Sequence, residues 1–558
     1  MAITTQREKA NLMAVERRYL LGCSVLIGTC LLPIKLALAN DLNLALQVET
    51  EAVTQEVQAK DRGSRSVDSW SVNPVVSAYY ESRTISALWS GNVTYIDRST
   101  DDLGDSDDTY EEYQYNAQWT PIERFLSFRA SGALNYQNTD GANYLLSDYF
   151  TDPDALAKTR SNRLASTLQF TQGDYVRGRG TVSYAVVESE ASPVTNNLAL
   201  DNETYSTIGE LRNGDEVTNL IWSLEGSYDK TERSTSSLGD FITRGAEAKI
   251  DAMLISDFGI RLSARHNADQ VLGRNDSISN TRAYDSYGVG LTYRQAAGRF
   301  VSFTINQGKA NDDEDYQTFV GAEMRWAFTP RTSLSAQYGR RYWGEKATVK
   351  FRYNTKHIRS SLSYDESVTS TSRLLANPEN LGVFVCNIGQ ADLSSCYQPN
   401  SLSYVPKEGE QLVQFSTSNF EIDDDIILRK ATNWQIGYEF SRIKLGSNIR
   451  YSLDDYLDED RMRRTYSVSF DMVYRLGSYT RLVSDISYAN IEQRSIEFQS
   501  GASENWNGSV GLTREIGQHF EAKVASSYID KSGDLTTGNL GRNYSERRIS
   551  LSLTYRYE

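Results

Sequence analysis

The chain is poor in proline, histidine and cysteine, with 9, 3 and 4 of them in 558 residues. It also lacks, after residue 40, a sustained helical pattern with apolar residues three and four apart, which speaks against helical bundles and α/β domains. Few prolines fit a backbone whose N–H groups are committed to ladders; Pro121 and Pro330 fall between predicted strands, where a lost N–H breaks no ladder. His266, His357 and His519 stand apart from one another, and no Gly-x-Ser-x-Gly turn, His-Glu-x-x-His site or phosphate-binding glycine loop occurs. An enzyme built only on Asp/Glu pairs is all those absences leave, and the chain reads as no enzyme. Long apolar runs are missing too. Tyr19 to Leu32 falls short of the roughly 20 residues that a membrane helix needs.

What is present is tyrosine (35), glycine (37) and strict alternation. Tyr466, Val468, Phe470, Met472 and Tyr474 are separated by Ser467, Ser469, Asp471 and Val473. Ile549, Leu551, Leu553, Tyr555 and Tyr557 alternate with Ser550, Ser552, Thr554 and Arg556. A period of two with one apolar and one polar face is a strand. Strands of about ten residues, with short turns on one side and long loops on the other, are the pattern of a transmembrane β-barrel. A mean hydropathy of -0.51 is compatible with that, because only alternate side chains meet lipid. A soluble all-β solenoid or sandwich would not pair short and long connections so regularly. The expected fold is all-β: one large antiparallel barrel of the outer membrane of a Gram-negative bacterium. Its strand count is 22 to 24, and 24 satisfies parity if a weak strand lies near Glu203 to Leu211.

The boundaries follow from composition. Arg7, Lys9, Arg17 and Arg18, the apolar run and Ala37-Leu38-Ala39 predict a signal peptide over 1–39. That segment holds five of the 58 Lys/Arg and two of the 73 Asp/Glu, so residues 40–558 carry 53 against 71, a net charge of -18. Such acidity disfavours nucleic acid as a partner and suits a surface facing cations. Leu42 to Val48 opens the first strand, and a polar stretch from Glu49 to Ser69 follows. The remaining residues, 40–558, form a single barrel interrupted at about 366–423 by a long extracellular loop. Irregular chain of that length is functional or disordered. Here Cys386 and Cys396 are expected to staple it with a disulfide, as exported proteins commonly do. It reads equally well as a lid folding back into the lumen and as surface decoration.

Two sets of charged residues are candidates for function. Asp101, Asp102 and Asp105 in an acidic loop from Ser99 to Tyr110, Asp312, Asp313 and Asp315, and Asp454, Asp455 and Asp458 offer oxygen ligands suited to surface-bound Ca or Mg. Their spacing matches no helix-loop-helix calcium motif, so solvated loop faces bordering lipopolysaccharide are the favoured reading. No specific metal site and no cofactor is expected. Arg124, Arg129, Arg261, Arg352, Arg359 and Arg464 are candidate lumen charges.

The opening strand Leu42 to Glu49, the run Asp424-Asp425-Ile426-Ile427-Leu428-Arg429-Lys430, the late Tyr/Ser/Arg-rich hairpins and the closing strand resemble the outer-membrane barrel family associated with the PEP-CTERM exosortase system and exopolysaccharide loci. One departure is at the end, where Glu558 follows Tyr557 and offsets the usual C-terminal insertion signal by one residue. The resemblance implies a part in export or retention of envelope polysaccharide. Expected partners are membrane lipid, lipopolysaccharide, the barrel assembly machinery and exopolysaccharide or its export proteins. The leading functional expectation is a pore or export channel for a polar solute or polysaccharide, narrowed by its loops. The alternative is a non-conducting barrel that anchors polymer or a partner protein. A TonB-dependent receptor is disfavoured because strands begin almost immediately after Asn40.

Overall fold

The computed structural model describes residues 42–59, 63–100, 104–138, 149–151, 153–191, 199–233, 239–271, 280–311, 315–376, 383–387, 410–414, 425–457, 459–496, 499–535 and 543–557. The predicted signal segment lies outside them. The strands in chain order are β1 (Leu42–Ala59), β2 (Gly63–Glu81), β3 (Ile85–Thr100), β4 (Gly104–Ile122), β5 (Leu126–Asn138), β6 (Leu156–Phe170), β7 (Val176–Ser189) and β8 (Leu200–Asn213). There follow β9 (Leu220–Arg233), β10 (Phe241–Ile255), β11 (Phe258–Val271), β12 (Asn280–Ala296), β13 (Arg299–Ala310), β14 (Gln317–Thr329), β15 (Thr332–Arg341), β16 (Gly344–Asn354) and β17 (Ile358–Ser370). After a helical turn α1 (Thr371–Ala376) and a separate two-stranded ribbon, β18 (Val383–Asn387) with β19 (Glu410–Gln414), the series resumes. Its last members are β20 (Ile426–Glu439), β21 (Ile443–Tyr456), β22 (Arg461–Arg475), β23 (Thr480–Ser495), β24 (Gly501–Ile516), β25 (Phe520–Gly533) and β26 (Tyr544–Tyr557).

All except β18 and β19 form one 24-stranded sheet in which sequence neighbours pair. β17 pairs β20, and β26 returns to β1 with Leu46 opposite Tyr557 and Ala59 opposite Tyr544, closing the ring. Closure leaves no unpaired edge, the condition for a sheet to cross lipid. The weak strand expected near Glu203 is β8, paired with both β7 and β9.

Burial is inverted relative to a water-soluble protein. Leu291 on β12 and Ile305 on β13 are 70% and 64% exposed, while their neighbours Thr292 and Ser302 are 1% and 2% exposed. The same inversion holds on β26, where Ile549, Leu551 and Leu553 are exposed and Ser552 and Thr554 buried. Apolar side chains facing out and hydroxyls facing in make a lipid-spanning wall. Aromatic pairs gather near the tight turns, as with Trp119 stacked on Phe128 at 5.3 Å and Phe520 against Tyr555 at 5.1 Å. Rings at that level suit a membrane boundary.

The strands of the ring have 10 to 19 residues, several of them well beyond the roughly 9–11 that cross a bilayer. The excess lies at the long-loop end, where both faces are polar and alternation disappears from the sequence. Hence most of the polar stretch Glu49 to Ser69 lies in strands: residues up to Ala59 are in β1 and those from Gly63 are in β2. Likewise the loop Ser99 to Tyr110 shrinks: Asp105 is on β4, opposite Ser99 on β3. At the other end the turns are tight. Register shifts mark β4, β10, β12 and β14 beside them, and two turn residues have left-handed φ, Arg124 (62°) and Ser256 (45°).

Candidate functional site

Twenty-four strands spaced about 4.8 Å apart and tilted by roughly 40° make a ring roughly 45–50 Å across between backbone centres. Wall side chains alone cannot fill such a width. At the long-loop end, chain folded inward crosses it.

The main insertion is the upper part of the β17–β20 ribbon with α1. Glu366 to Ser370 is paired with Ile426 to Lys430. Ile426, Ile427 and Leu428 are all buried, although successive residues of a strand point opposite ways. The reason is that both faces are covered. Val368, Ile426 and Leu428 pack on Phe241 of β10, bordered by Val271, Tyr342, Trp343 and Leu457. Ile427 packs with Leu374 of α1 and Tyr456. A strand covered on both sides reads as a continuous apolar run. Leu375 of α1 then reaches Ala157 and Leu200 on one side and Ala185 and Val187 on the other, residues of β6, β8 and β7. Those strands lie almost half the ring away from β17.

Arg373 latches this insertion. Its Nε donates to Thr231 Oγ1 at 2.8 Å and its Nη1 to Thr243 Oγ1 at 2.7 Å. Nη2 donates to the carbonyls of Asp229 (3.1 Å) and Phe241 (3.0 Å). The guanidinium lies over the Phe241 ring, 4.0 Å from its centroid. Four of its five N–H groups are thus occupied by β9 and β10. Burial pushes it down to about 10, still far above neutrality, so the latch is a cation. Ser370 starts α1 as its cap, its Oγ accepting from the Arg373 amide at 3.4 Å.

A second insertion runs from Tyr149 to Ala155. Thr151 donates to Glu546 Oε2 at 2.7 Å and accepts from Arg548 Nη2 at 2.8 Å, while Arg548 also holds Glu546 at 2.7 Å. Gln55 of β1 donates to the Phe150 carbonyl at 3.2 Å. Arg98 of β3 binds Asp108 and the Tyr149 carbonyl, and Tyr149 lies 4.2 Å from Tyr110. Burial raises the Tyr149 phenol pKa, so it acts as a neutral packing group.

Below the insertions the inner wall of β10–β14 carries a charge network. Arg261 holds Asp251 through Nε (2.6 Å) and Nη2 (2.7 Å), and reaches Glu323 (2.7 Å) and Ser302 (2.5 Å) through Nη1. Arg294 adds Asp251 at 2.9 Å, Lys249 bridges Glu323 (3.0 Å) and Glu247 (3.2 Å), and Arg265 binds Glu247. Beside the network lies a small open recess bordered by Ser263, Asn306 and Glu323.

The candidates from sequence are distributed unevenly. Arg261 is a buried lumen charge, Arg129 bonds Gln118 on the inner face (3.1 Å), and Arg352 and Arg359 are exposed on that face near the tight turns. Arg124 is instead an exposed turn residue. Arg464 points outward: it shares a face with Tyr466 and Phe470 and pairs with Glu492. Its neighbour Arg463 takes the inner position, because in a strand one step changes face. Asp454 and Asp455 are on β21, not in a loop, and face opposite ways; Asp454 lies 3.5 Å from Arg429. Asp315 is exposed, whereas Asp101, Asp102, Asp312, Asp313 and Asp458 lie outside the described residues. Among the described residues no three His, Cys, Asp or Glu side chains converge on a metal-sized site. Cys386 is on β18 with its backbone opposite Gln411; Cys396, and so the expected disulfide, falls outside the described residues. Arg373 and the Thr151–Glu546–Arg548 group were missed by sequence reasoning. The one signal available was the unbroken Ile426-Ile427-Leu428.

No family model matches the chain, and no curated protein does. Among solved structures it is similar to a mutant of the ferric enterobactin receptor of Pseudomonas aeruginosa, at 10% identity and a TM-score of 0.36, covering 92% of this chain and 80% of that one. The siderophore receptor PirA of the same species gives 10%, 0.33, 92% and 80%. The FrpB iron transporter of Neisseria meningitidis gives 9%, 0.39, 93% and 82%. At such identities and TM-scores the likeness carries no inference about this chain.

Proposed function

We propose that this barrel is a gated outer-membrane passage for a hydrated polar solute or polysaccharide, closed at its long-loop end by the inserted β17–α1–β20 ribbon. The observation that carries the reading is the latch: one half-buried arginine ties a chain segment across a lumen whose inner face is otherwise lined by Ser, Thr, Asn and charged groups. The lower residues of β17 and β20, Ile358 to Asp365 against Ala431 to Tyr438, keep the ring closed at this seam when the upper residues and α1 move. The resemblance to exopolysaccharide-associated barrels directs the same reading towards polysaccharide export.

The chemistry required is modest. A solute gives up part of its hydration and is met by wall hydroxyls and charges, and no bond is made or broken. The test is conductance of the purified protein in planar bilayers, compared with a form in which residues 371–425 are replaced by a short turn. Rare, small steps in the native protein and large, stable ones in the shortened form are expected. Silence in both would favour the second reading, a filled barrel that anchors polymer or a partner, which the dense packing around Phe241 would also suit.

A further inference from the structure

The chain is acidic overall, at -15, yet its inner face at the tight-turn end is not. Register places Arg179 (β7), Arg325 (β14), Lys350 and Arg352 (β16), Arg475 (β22) and Lys523 (β25) on the inner face, each a few residues from a tight turn. All six are exposed, and none has a carboxylate within 4 Å among the described residues. Most carboxylates at this level are already engaged. Glu210 lies against Arg212, Asp251 is held by Arg261 and Arg294, and Glu521 by Arg481 and Arg556. Glu49, Glu51, Glu81, Glu225, Asp471 and Asp485 also face inward and offset cations elsewhere on the ring, so the surplus is concentrated on β14–β16, at Arg325, Lys350 and Arg352, where Glu323 is already engaged. Field lines between low-dielectric walls concentrate such a charge.

Arg179 has Glu210 and Gln169 as ladder partners and Arg325 lies over Phe300, but the neighbours of the two β16 cations are hydroxyls. Lys350 is flanked across the ladder by Ser335 and Ser363, and Arg352 by Ser333 and Ser361. A fixed guanidinium fork matches a carboxylate in bidentate fashion, and serines complete a surface for sugar hydroxyls. No aromatic residue is a register partner of either cation, so the stacking platform that single-stranded nucleic acid uses is missing there.

From this we propose that the tight-turn mouth is a recognition vestibule for an acidic, carboxylate-bearing oligosaccharide, which approaches from the side opposite the ribbon. The proposal rests on the reading of the barrel as a passage and deepens it by naming the solute's charge. Its test does not require the gate to open. Fluorescent oligogalacturonate is titrated against the full mature protein in detergent micelles, alongside neutral maltooligosaccharide of equal length and a single-stranded oligonucleotide. Oligogalacturonate should bind, at least tenfold more tightly than the neutral sugar, and about tenfold more weakly when salt rises from 50 to 500 mM. The combined variant Arg179→Glu, Lys350→Glu, Arg352→Glu and Arg475→Glu should lose at least tenfold in affinity. Lys309→Glu, on the outer face, should change nothing. Heat-modifiable migration on gels verifies that each variant is folded; should the fourfold variant fail it, Lys350→Gln with Arg352→Gln replaces it, with a loss of at least threefold expected. Equal binding of the neutral sugar, equal or tighter binding of the oligonucleotide, or unchanged affinity in the folded charge variant would overturn the vestibule. A conducting barrel without this preference would sink the vestibule alone, whereas bilayer silence with the preference intact would count against the passage.

Discussion

At the scale of single residues, Arg373 shows how much one side chain can decide. Replacing it with Ala leaves two threonine hydroxyls and two carbonyls without their donor and removes the ring contact with Phe241. Losing hydrogen bonds to a charged group inside a packed site costs about 3 kcal/mol, or roughly a hundredfold in the seated-to-released ratio of the ribbon. Arg373→Ala should therefore raise single-channel open probability by about two orders of magnitude, with Arg373→Lys between it and the native protein. An unchanged open probability in Arg373→Ala would remove the latch from the account. Gly290 tests the wall instead. A Cβ there would lie 1.8 Å from the Phe303 carbonyl oxygen, which belongs to the ladder and cannot give way. Gly290→Ala should destabilise the barrel by about 2 kcal/mol, visible as a lower midpoint in heat-modifiable gel migration. None of this was legible beforehand. Arg373 has no periodic signature, and Arg464 was misassigned because a charge next to another charge does not reveal its face.

At the scale of elements, the β17–α1–β20 ribbon is part wall and part gate. Its lower residues pair within the membrane ring, and its upper ones are covered on both sides. A crosslink between Leu375→Cys and Val187→Cys, whose native side chains pack together, should hold the ribbon shut. Conductance is expected to vanish under oxidation and return with a reducing agent; current that ignores the reagent would mean the ribbon is no barrier. Ile427→Asp should act oppositely, since an unpaired carboxylate against Leu374 and Tyr456 costs several kcal/mol. It should open the passage while leaving barrel assembly intact, as judged by gel migration. The strands themselves were readable as alternating runs, although short by several residues at the long-loop ends. There Asp105 and Asp454 look like loop residues, because a strand wetted or ion-paired on both faces loses its period.

At the scale of the whole molecule, the ring is held by its ladder and by the lipid outside. The outer band predicts a depth-dependent penalty: Leu291→Arg should cost about 2–4 kcal/mol, whereas Gln435→Arg on the inner face, between Ser361 and Asn448, should be within about 0.5 kcal/mol of native. Equal tolerance at both positions, measured by urea unfolding in micelles, would contradict the orientation of the wall.

The sequence by itself determined the class of fold and the antiparallel hairpin order and narrowed the strand count to 22 to 24, because alternation and turn spacing are local properties that each strand carries alone; closure of the ring decided on 24. Which side chains meet inside was decided only by tertiary structure. Arg373 and Phe241 lie 132 residues apart, and no local pattern records that a closed ring brings β10 opposite α1. The proposed vestibule likewise depends on pairing, which sets Arg325, Lys350 and Arg352 side by side on the inner face of an acidic chain.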